Sequence, residues 1–374
     1  MKLAIVGGHL SPALAVIDAL PRDAQVLFIG RKYTFEGDRA TSLEYNTIRS
    51  LKIPFASIST GRWQRKFTRF TIPSLFKFPY GVVQSFLILR NFKPEVVLSF
   101  GGYLSLPVGL SAFFLRIPIV IHEQTLAAGL ANRILSFFAK KICISWDSSV
   151  KFFLLEKTVL TGNPVRKFKV HPDSVGTKFK VNNENKTLPI IYITGGSSGS
   201  HFINTLVEGC IEELLKKFII IHQTGDAQKY LDFDRLYNLR NTLPPKLQSR
   251  YFLTKFVEPE NIGSVIKAAD LVVSRAGINT VTELIFFKKP SFLIPIPFSQ
   301  NNEQKKNALF LKDLGLGEVF YQDLLDSKKF FGVLIGMFDN IDKYKAKSNL
   351  DTSINKNAAQ KIIEVLTYAK KTKR

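Results

Sequence analysis

Four segments of this 374-residue sequence combine glycine, hydroxyl, amide and acidic residues in patterns suited to binding phosphate or sugar groups. They read GGH (residues 7–9), TGGSSGS (194–200), SRAGINTVTE (274–283) and SQNNEQKKNA (299–308). A glycine turn that ends a strand and precedes a helix presents backbone N–H groups, which bind phosphate oxygens. These segments therefore predict a protein that binds phosphate-containing ligands.

The loop at residues 194–200 is the strongest phosphate-binding candidate. It follows an apolar run and precedes a predicted helix that begins near Phe202. Backbone N–H groups around Gly196, together with the Ser197 hydroxyl, can bind a pyrophosphate at the positive end of that helix. A purely structural glycine turn is the alternative interpretation.

The two later segments offer groups for a ribose and a sugar. A helix beginning near Asn279 presents a second N-terminus, and Glu283 lies one turn further along. A carboxylate there can accept hydrogen bonds from both ribose hydroxyls, or it can simply complement the helix dipole. Amides both donate and accept, so residues 299–308 suit sugar hydroxyls, and they equally suit any polar loop.

The first segment, GGH, suits proton transfer better than nucleotide binding. It lacks the three-glycine fingerprint of dinucleotide sites and the acidic residue about 20 positions further on, which argues against an oxidoreductase. His9 is a candidate general base because the unperturbed pKa of histidine, about 6.5, is close to neutral pH. Capping of the following helix, or donation of a hydrogen bond to substrate, are equally open alternatives.

Two successive series of buried strands must position these residues. Strands are predicted at 3–6, 25–30, 95–102 and 117–123, then at 190–196, 218–225, 271–277 and 290–297, with helices between them, as at Pro12–Leu20 and Gly129–Ala139. The alternation predicts an α/β protein of two doubly wound parallel domains with a crevice between them.

The boundary between these domains is expected just after the motif GNPVR (162–166), where the sequence becomes polar and irregular. We assign residues 1–163 to an N-terminal domain and residues 164–353 to a C-terminal domain. The tail at 354–374 is amphipathic over much of its length and can pack back on either domain, the first included.

The charge balance points to an anionic partner. Lys and Arg number 52 against 30 Asp and Glu, a net charge of +22, although a general lysine bias would also produce it. Cys143 and Cys210 form no metal-binding pattern and favour a reducing compartment. The N-terminal residues read as a strand rather than an export signal, and the apolar run 104–121 is too interrupted to span a bilayer. We expect a cytoplasmic protein.

Residues 45–94 concentrate the positive charge, because they contain no Asp or Glu. The basic residues are Arg49, Lys52, Arg62, Arg65, Lys66, Arg69, Lys77, Arg90 and Lys93, and the interleaved aromatic residues include Trp63, Phe67, Phe70, Phe76, Phe78 and Tyr80. This mixture suits an anionic membrane surface. Single-stranded nucleic acid would use the same residue types, and the aromatics can instead be core residues. We expect the membrane surface and no nucleic acid.

Seven motifs in order give the sequence a family resemblance. They are GGH, FGGY (100–103), HEQ (122–124), GNPVR, GGS (195–197), AGINTVTE (276–283) and EQKKNA (303–308). The sequence resembles the MurG-type N-acetylglucosaminyltransferases of peptidoglycan synthesis over nearly its full length. The resemblance implies a two-domain GT-B fold.

The resemblance also implies an activity and a location. The family transfers GlcNAc from UDP-GlcNAc to the MurNAc 4-hydroxyl of lipid I, an undecaprenyl-linked diphosphate, with inversion at the sugar carbon. The product, lipid II, serves cell wall biogenesis and hence cell shape and cell division. A protein of this kind is expected as a peripheral protein on the cytoplasmic face of the cell membrane.

Site residues follow from the matching motif positions. On the donor side, the resemblance implies that the Val257 backbone reads uracil and that Glu283 binds ribose. The other implied donor residues are Arg166, Gly196 and Ser197 near the diphosphate, Ile278, Asn279 and Thr280 at the helix start, and Gln304 and Asn307 at GlcNAc. His9 is implied near the acceptor hydroxyl, with Glu123 as the second candidate base; the remaining acceptor-side residues are Gly7, Gly8, Gly102, Tyr103 and Thr125.

Three positions depart from the family pattern. The usual GGTGGH of the first loop is reduced to GGH, and Thr125 stands where the family's HEQN motif has asparagine. Glu303 replaces the amide or imidazole usual before Gln304. The donor motifs are therefore retained more completely than the acceptor motifs.

The expected cofactor requirement is small. The sequence has no convincing Asp-x-Asp metal motif, so we expect no tightly bound cofactor and no metal ligated by the protein, which leaves room for a loosely associated divalent cation. Two other UDP-sugar enzymes of the same fold remain alternatives, a glycolipid glycosyltransferase and a UDP-GlcNAc epimerase. A basic, non-catalytic membrane or nucleic-acid binder is the alternative from another class.

Overall fold

The computed structural model describes residues 1–33, 41–61, 71–166, 188–196, 199–258, 260–299, 302–344 and 357–371, without the side chains of Leu43 and residues 71–76. The chain divides into two compact units. The first comprises Met1–Arg166 and Ser353–Arg374, and the second comprises Lys167–Thr352. The polar, irregular stretch predicted after GNPVR falls on residues 167–187, which lie outside the described residues.

The first unit contains a seven-stranded parallel sheet. Its strands are β1 (Lys2–Val6), β2 (Gln25–Gly30), β3 (Phe55–Ser57), β4 (Val96–Ser99), β5 (Ile119–Glu123), β6 (Lys141–Ile144) and β7 (Thr158–Leu160). Their order is β3-β2-β1-β4-β5-β6-β7, so the direction of winding reverses between β1 and β4. Loops at the carboxyl ends of such a pair form the usual ligand site of a doubly wound sheet.

Helices cover both faces of this sheet. They are α1 (Leu10–Ala19), α2 (Leu43–Ser50), α3 (Thr71–Phe92), α4 (Ser105–Phe114), α5 (Leu130–Leu135) and, near the C-terminus, α14 (Ala358–Lys371). Alternate residues of β1 enter two separate cores, Leu3 and Ile5 on one face and Ala4 and Val6 on the other. The tail helix α14 buries Ile362 and Leu366 in the same core as Leu3.

The second unit contains a six-stranded parallel sheet. Its strands are β8 (Ile190–Thr194), β9 (Ile219–Gln223), β10 (Tyr251–Thr254), β11 (Leu271–Ser274), β12 (Ser291–Leu293) and β13 (Gly317–Val319), in the order β10-β9-β8-β11-β12-β13. The helices are α6 (His201–Glu208), α7 (Ile211–Lys217), α8 (Asp232–Thr242), α9 (Pro245–Gln248), α10 (Ile262–Ala268), α11 (Ile278–Phe286), α12 (Glu303–Asp313) and α13 (Ser327–Asp339). The winding reverses between β8 and β11.

The predicted fold class is confirmed, while several element bounds differ. All eight predicted strands are present, and five short ones (β3, β6, β7, β10 and β13) add to them. Helix α1 begins at Leu10 rather than Pro12, because proline is tolerated in a first helical turn. Helix α5 ends at Leu135, four residues before the predicted Ala139.

The apolar run at 104–121 is divided between α4 and β5, as its prolines predict. No helix in the described part of the chain is long and apolar enough to cross a membrane. Both cysteines are buried as free thiols.

Candidate functional site

The glycines of the first loop allow close backbone packing at the carboxyl ends of β1 and β4. A Cβ on Gly8 would overlap the carbonyl oxygen of Gly101, and Gly102, with φ +79°, lies against the Cα of Gly8. A Cβ on Gly7 would overlap the carboxyl group of Glu44. The short loop is therefore held between FGGY on one side and α2 on the other.

His9 occupies the N-cap position of α1, but its side chain makes no capping hydrogen bond. Its Nδ1 lies 3.2 Å from the carbonyl oxygen of Phe100. A carbonyl only accepts, so Nδ1 carries the proton and Nε2 keeps the lone pair. Burial lowers the pKa of His9 below 6.5, so the ring is neutral at neutral pH. His9 thus has the tautomer and charge state of a proton acceptor.

Glu123, the second candidate base, is fully engaged in the turn that leads from β5 to α5. Oε1 accepts hydrogen bonds from the backbone N–H of Thr125 (2.9 Å) and from its hydroxyl (2.6 Å). Oε2 accepts from the backbone N–H of Gly129 and from Nδ2 of Asn132, both at 2.9 Å. These four donors give the buried carboxylate a structural role, and the geometry favours His9 as the base.

The HEQ motif also places two buried polar side chains that sequence reasoning left without a role. His122 directs Nε2 to the carbonyl oxygen of Gly162 at 3.2 Å, and burial lowers its pKa to about 4. Nδ1 of His122 and both amide atoms of Gln124 have no hydrogen-bond partner among the described residues. Such atoms are uncommon in folded proteins and suit a polar ligand or an ordered water.

Glu44 is a further residue that no motif had indicated. It lies in the first turn of α2, beside Gly7 and Gly30, and Oε2 accepts from the Arg31 N–H at 3.3 Å. Burial raises its pKa from 4.5 to about 7. A carboxyl group that titrates near neutral pH therefore borders the loop that carries His9.

Two of the remaining predicted residues belong to the first unit. Tyr103 packs against the core of that unit with part of its ring exposed. Nε of Arg166, implied near the donor diphosphate, lies 2.8 Å from Oδ2 of Asp18 on α1. In this structure Arg166 is therefore held by α1.

The glycine loop after β8 is described except for Ser197 and Ser198, so the predicted role of Ser197 falls outside the described residues. Gly196 has φ +84°, with open space where a Cβ would stand. The Gly199 N–H donates to the Gly196 carbonyl oxygen at 3.1 Å, which closes the loop. Ser200 caps α6 through Oγ, which accepts from the Ile203 N–H.

The predicted helix start after β11 is exposed along its backbone. Helix α11 begins at Ile278, no side chain caps it, and a Cβ on Gly277 would meet no atom within 4 Å. The Ile278 side chain is buried, so its backbone N–H is the group that could meet phosphate, as for Thr280 in the same turn. Oδ1 of Asn279 is buried without a hydrogen-bond partner among the described residues.

Glu283 lies further along the same helix and is half-buried. Burial raises the pKa of Tyr192 on β8, and the negative charge of Glu283 raises it further. The Glu283 carboxylate is thus close enough to Tyr192 to act on it electrostatically.

The two predicted sugar-binding amides have different surroundings. Oε1 of Gln304 accepts from the Ile296 N–H at 3.1 Å, which turns its NH₂ group away from that contact. Asn307 is fully buried, and its Nδ2 donates to the Ala276 carbonyl oxygen at 3.1 Å. Asn307 therefore fixes the segment that precedes α11, and only its Oδ1 lacks a partner in the described chain.

Arg275, within SRAG, is a cation that sequence reasoning missed. Its Nε donates to Ser200 Oγ (3.0 Å), Nη1 to the Ile294 carbonyl oxygen (3.1 Å) and Nη2 to Oε1 of Gln322 (3.0 Å). Burial lowers its pKa to about 10, so it stays charged at neutral pH. It adds positive charge beside the N-terminus of α6, which favours an anionic ligand. Its position directly after a strand was the available signal.

Comparisons with known proteins agree with the layout of the two units. Residues 6–144 match the glycosyltransferase family 28 N-terminal domain, and residues 190–366 match the family 28 C-terminal domain.

Relatives similar over most of their length carry one name, UDP-N-acetylglucosamine--N-acetylmuramyl-(pentapeptide) pyrophosphoryl-undecaprenol N-acetylglucosamine transferase. The protein from Clostridium botulinum strain Alaska E43 is 32% identical over 96% of this chain and 94% of its own. The protein from Treponema denticola is also 32% identical, over 92% of this chain and 89% of its own.

Solved structures share the fold. MurG of Acinetobacter baumannii superposes with a TM-score of 0.68 at 24% identity, covering 98% of this chain and 100% of that one. The UDP-GlcNAc 2-epimerase of Neisseria meningitidis, bound to UDP-GlcNAc, gives 0.64 at 15% identity with the same coverage. Both likenesses concern the GT-B architecture.

Proposed function

This chain belongs to glycosyltransferase family 28, and on that basis we propose that it transfers GlcNAc from UDP-GlcNAc to the MurNAc 4-hydroxyl of an undecaprenyl-linked diphosphate acceptor, lipid I. The observation that carries the proposal is 32% identity over 96% of the chain to a relative named for this transfer. The product, lipid II, would serve cell wall synthesis and thereby cell shape and division.

The second unit is proposed to bind the donor. The uncapped N-terminus of α11 (Ile278, Asn279 and Thr280) and the loop around Gly196 and Ser197 supply N–H and hydroxyl donors for the diphosphate. Beyond them, the Val257 backbone would read uracil, Glu283 would bind ribose and Gln304 would recognise GlcNAc, while the buried Asn307 would hold the segment before α11. Arg166, which pairs with Asp18 in this structure, is a further proposed diphosphate ligand.

The first unit is proposed to bind the acceptor and supply the base. In an inverting displacement, a base removes the proton of the acceptor hydroxyl while the leaving UDP is stabilised. The lone pair on Nε2 of His9 supports its assignment as that base. Gly7, Gly8, Gly102, Tyr103 and Thr125 are proposed acceptor-side residues.

No tightly bound metal or cofactor is part of the proposed reaction. Helix N-termini and cationic side chains can stabilise the leaving diphosphate. A divalent cation is needed at most in loose association with UDP. Retained transfer in excess chelator would support this proposal, and complete loss restored by Mg²⁺ would refute it.

The chain is further proposed to work as a peripheral protein on the cytoplasmic face of the membrane. Helix α3 exposes Tyr80, Val83 and Leu87 at helical spacing, between the basic Lys77 and Arg90. Phe78 instead packs against the core, so the aromatics of the segment are divided between core and surface. The predicted basic residues at 62–69 lie outside the described residues.

Two further exposed apolar residues lie on the same unit. Phe114 at the end of α4 and Phe137 after α5 are both largely exposed, and Nζ of Lys157 donates to the Phe137 carbonyl oxygen. Apolar side chains beside lysines suit the boundary between headgroups and acyl chains. We expect this basic surface to meet anionic lipid rather than nucleic acid.

A transfer assay tests the proposed activity. The full chain, labelled UDP-GlcNAc and a lipid I analogue should yield a labelled lipid product, and no label should be transferred without acceptor. Conversion of UDP-GlcNAc to its 2-epimer without acceptor would instead support the epimerase alternative. Transfer of GlcNAc to a glycolipid but not to the lipid I analogue would support the second alternative, a glycolipid glycosyltransferase.

A further inference from the structure

Gln223 occupies a central position in the second sheet. It is the last residue of β9, next to β8, and its side chain is only 6% exposed. The motif that contains it, HQTG, received no role from the sequence. Its amide joins three separate segments at the carboxyl edge of the sheet.

The hydrogen bonds of Gln223 use both ends of the amide. Oε1 accepts from the Tyr192 hydroxyl at 2.9 Å and from the Val257 N–H at 3.2 Å. Nε2 donates to the Gly196 carbonyl oxygen at 3.1 Å. The opposite amide orientation would set NH₂ against the Val257 N–H and oxygen against the Gly196 carbonyl, so the network fixes the orientation.

These partners belong to different parts of the donor site proposed above. The Gly196 carbonyl oxygen also accepts from the Gly199 N–H, so Gln223 holds the bond that closes the diphosphate loop. Val257 is the residue whose backbone would read the base. Tyr192 lies within electrostatic reach of Glu283, the proposed ribose ligand.

We propose that Gln223 is a positioning residue that couples recognition of the uracil base at Val257 to recognition of the diphosphate at the loop after β8. The proposal rests on the proposed donor site of the second unit. Because the Val257 N–H already donates to Gln223, the base would bind through the Val257 carbonyl oxygen, and its binding constrains the amide that also holds the Gly196 carbonyl oxygen. The diphosphate then meets a Gly196 backbone that is already held in position.

Binding of the two halves of UDP tests this coupling. Calorimetry or NMR titration with uridine and inorganic pyrophosphate measures the affinity for each probe alone and in the presence of the other. In the full wild-type chain, saturating uridine should raise pyrophosphate affinity by about fivefold or more. The coupling ratio is the pyrophosphate affinity with saturating uridine divided by the affinity without it. Gln223→Met keeps the side-chain size but removes all three hydrogen bonds, and its coupling ratio should fall to about one.

Two other variants keep the test free of folding effects. Tyr251→Phe removes a buried hydroxyl that is 2.9 Å from Nδ1 of His222 in the same unit, without touching Gln223, and should keep the wild-type ratio. Tyr192→Phe removes one of the two donors to Oε1 and should give an intermediate ratio. If Gln223→Met does not fold, Tyr192→Phe provides the test. A coupling ratio in Tyr192→Phe equal to that of the wild type would then overturn the coupling.

The outcomes separate the coupling from the proposed function. Wild-type protein that binds UDP but shows no coupling between the probes, or Gln223→Met that retains it, overturns the inference and leaves the donor site intact. Equal loss of coupling in Tyr251→Phe also overturns it, since the effect would then be structural. Wild-type protein that does not bind UDP overturns the proposed function, and the inference with it.

Discussion

At the scale of single residues, the proposed chemistry depends on the protonation state of His9. The Phe100 carbonyl oxygen fixes the proton on Nδ1, and burial keeps the ring neutral at neutral pH. Nε2 can then accept a proton from a hydroxyl, as a general base must.

Replacing His9 should therefore reduce turnover and spare donor binding. We expect His9→Ala to lower kcat by roughly 10²–10⁴-fold, the usual contribution of a general base, with an unchanged Kd for UDP. Steady-state kinetics and calorimetry measure the two quantities. His9→Gln keeps a donor for Phe100 and should be similarly impaired; near-normal turnover would show that His9 only makes hydrogen bonds.

Glu44 should make stability depend on pH. Its pKa is raised from 4.5 to about 7, so between these values the folded protein keeps a proton that the unfolded chain releases. Stability therefore falls as pH rises through this window. Glu44→Gln removes the effect and should exceed the wild type by up to about 3 kcal/mol above pH 7, at about 1.4 kcal/mol per pKa unit, with little difference near pH 4.5.

Thermal unfolding at pH 5 and pH 8 measures this difference. Glu364→Gln, on the exposed face of α14, serves as the matched control and should not change stability at either pH. An advantage for Glu44→Gln that does not grow with pH would contradict the assignment.

At the scale of elements, the turn between β5 and α5 depends on Glu123. Its carboxylate accepts hydrogen bonds from two backbone N–H groups and from the side chains of Thr125 and Asn132. Thr125, which replaces the family's asparagine, thus completes a structural network.

Glu123→Ala should consequently lower stability more than it changes chemistry. Removal of the acceptor leaves the backbone N–H groups of Thr125 and Gly129 unpaired in a buried turn, at a cost of roughly 3 kcal/mol or more. We expect a lower unfolding midpoint with an unchanged Kd for UDP, whereas Asp23→Asn, which changes an exposed carboxyl on the same unit, should not lower it. A large loss of kcat with an unchanged midpoint would restore Glu123 as the base.

The sequence predicts the elements better than the contacts between them. Long apolar strands such as β5 and β9 were evident, because parallel strands buried on both faces are apolar throughout. Three-residue edge strands such as β3 and β13 were missed, since so few residues carry no periodicity. The GG turns before α6 and α11 were recognisable from local chemistry alone.

The partners of the site residues were beyond sequence reasoning because they are distant along the chain. Phe100, which sets the tautomer of His9, is 91 positions away, and Val257 is 34 positions from Gln223. Glu44 had no motif, and only folding brings it against Gly7. Asn307 illustrates the converse, since its sequence position suggested a sugar ligand and the structure buries it against Ala276.

At the scale of the whole molecule, the net charge of +22 and the exposed stripe on α3 predict binding to anionic membranes. Co-sedimentation should show stronger binding to vesicles containing phosphatidylglycerol than to phosphatidylcholine alone. The triple variant Tyr80→Ser, Val83→Ser, Leu87→Ser should bind roughly 10- to 100-fold more weakly, because partial burial of each apolar side chain contributes about 0.5–1 kcal/mol.

Leu231→Ser is the matched control, since it removes an equally exposed leucine from the second unit. It should bind vesicles like the wild type. Vesicle binding that does not depend on anionic lipid, or that the triple variant does not weaken, would show that α3 is not part of a membrane-binding surface. Salt-sensitive binding to RNA would instead favour a nucleic-acid partner.

The central claim is inverting transfer of GlcNAc by this chain to a lipid-linked acceptor. The most direct measurement is the NMR determination of the anomeric configuration of the product formed from UDP-α-GlcNAc and a lipid I analogue. If inverting transfer takes place, the product contains a single new β-glycosidic bond to the MurNAc 4-hydroxyl. An α-linked product, or release of free GlcNAc without transfer, would contradict it.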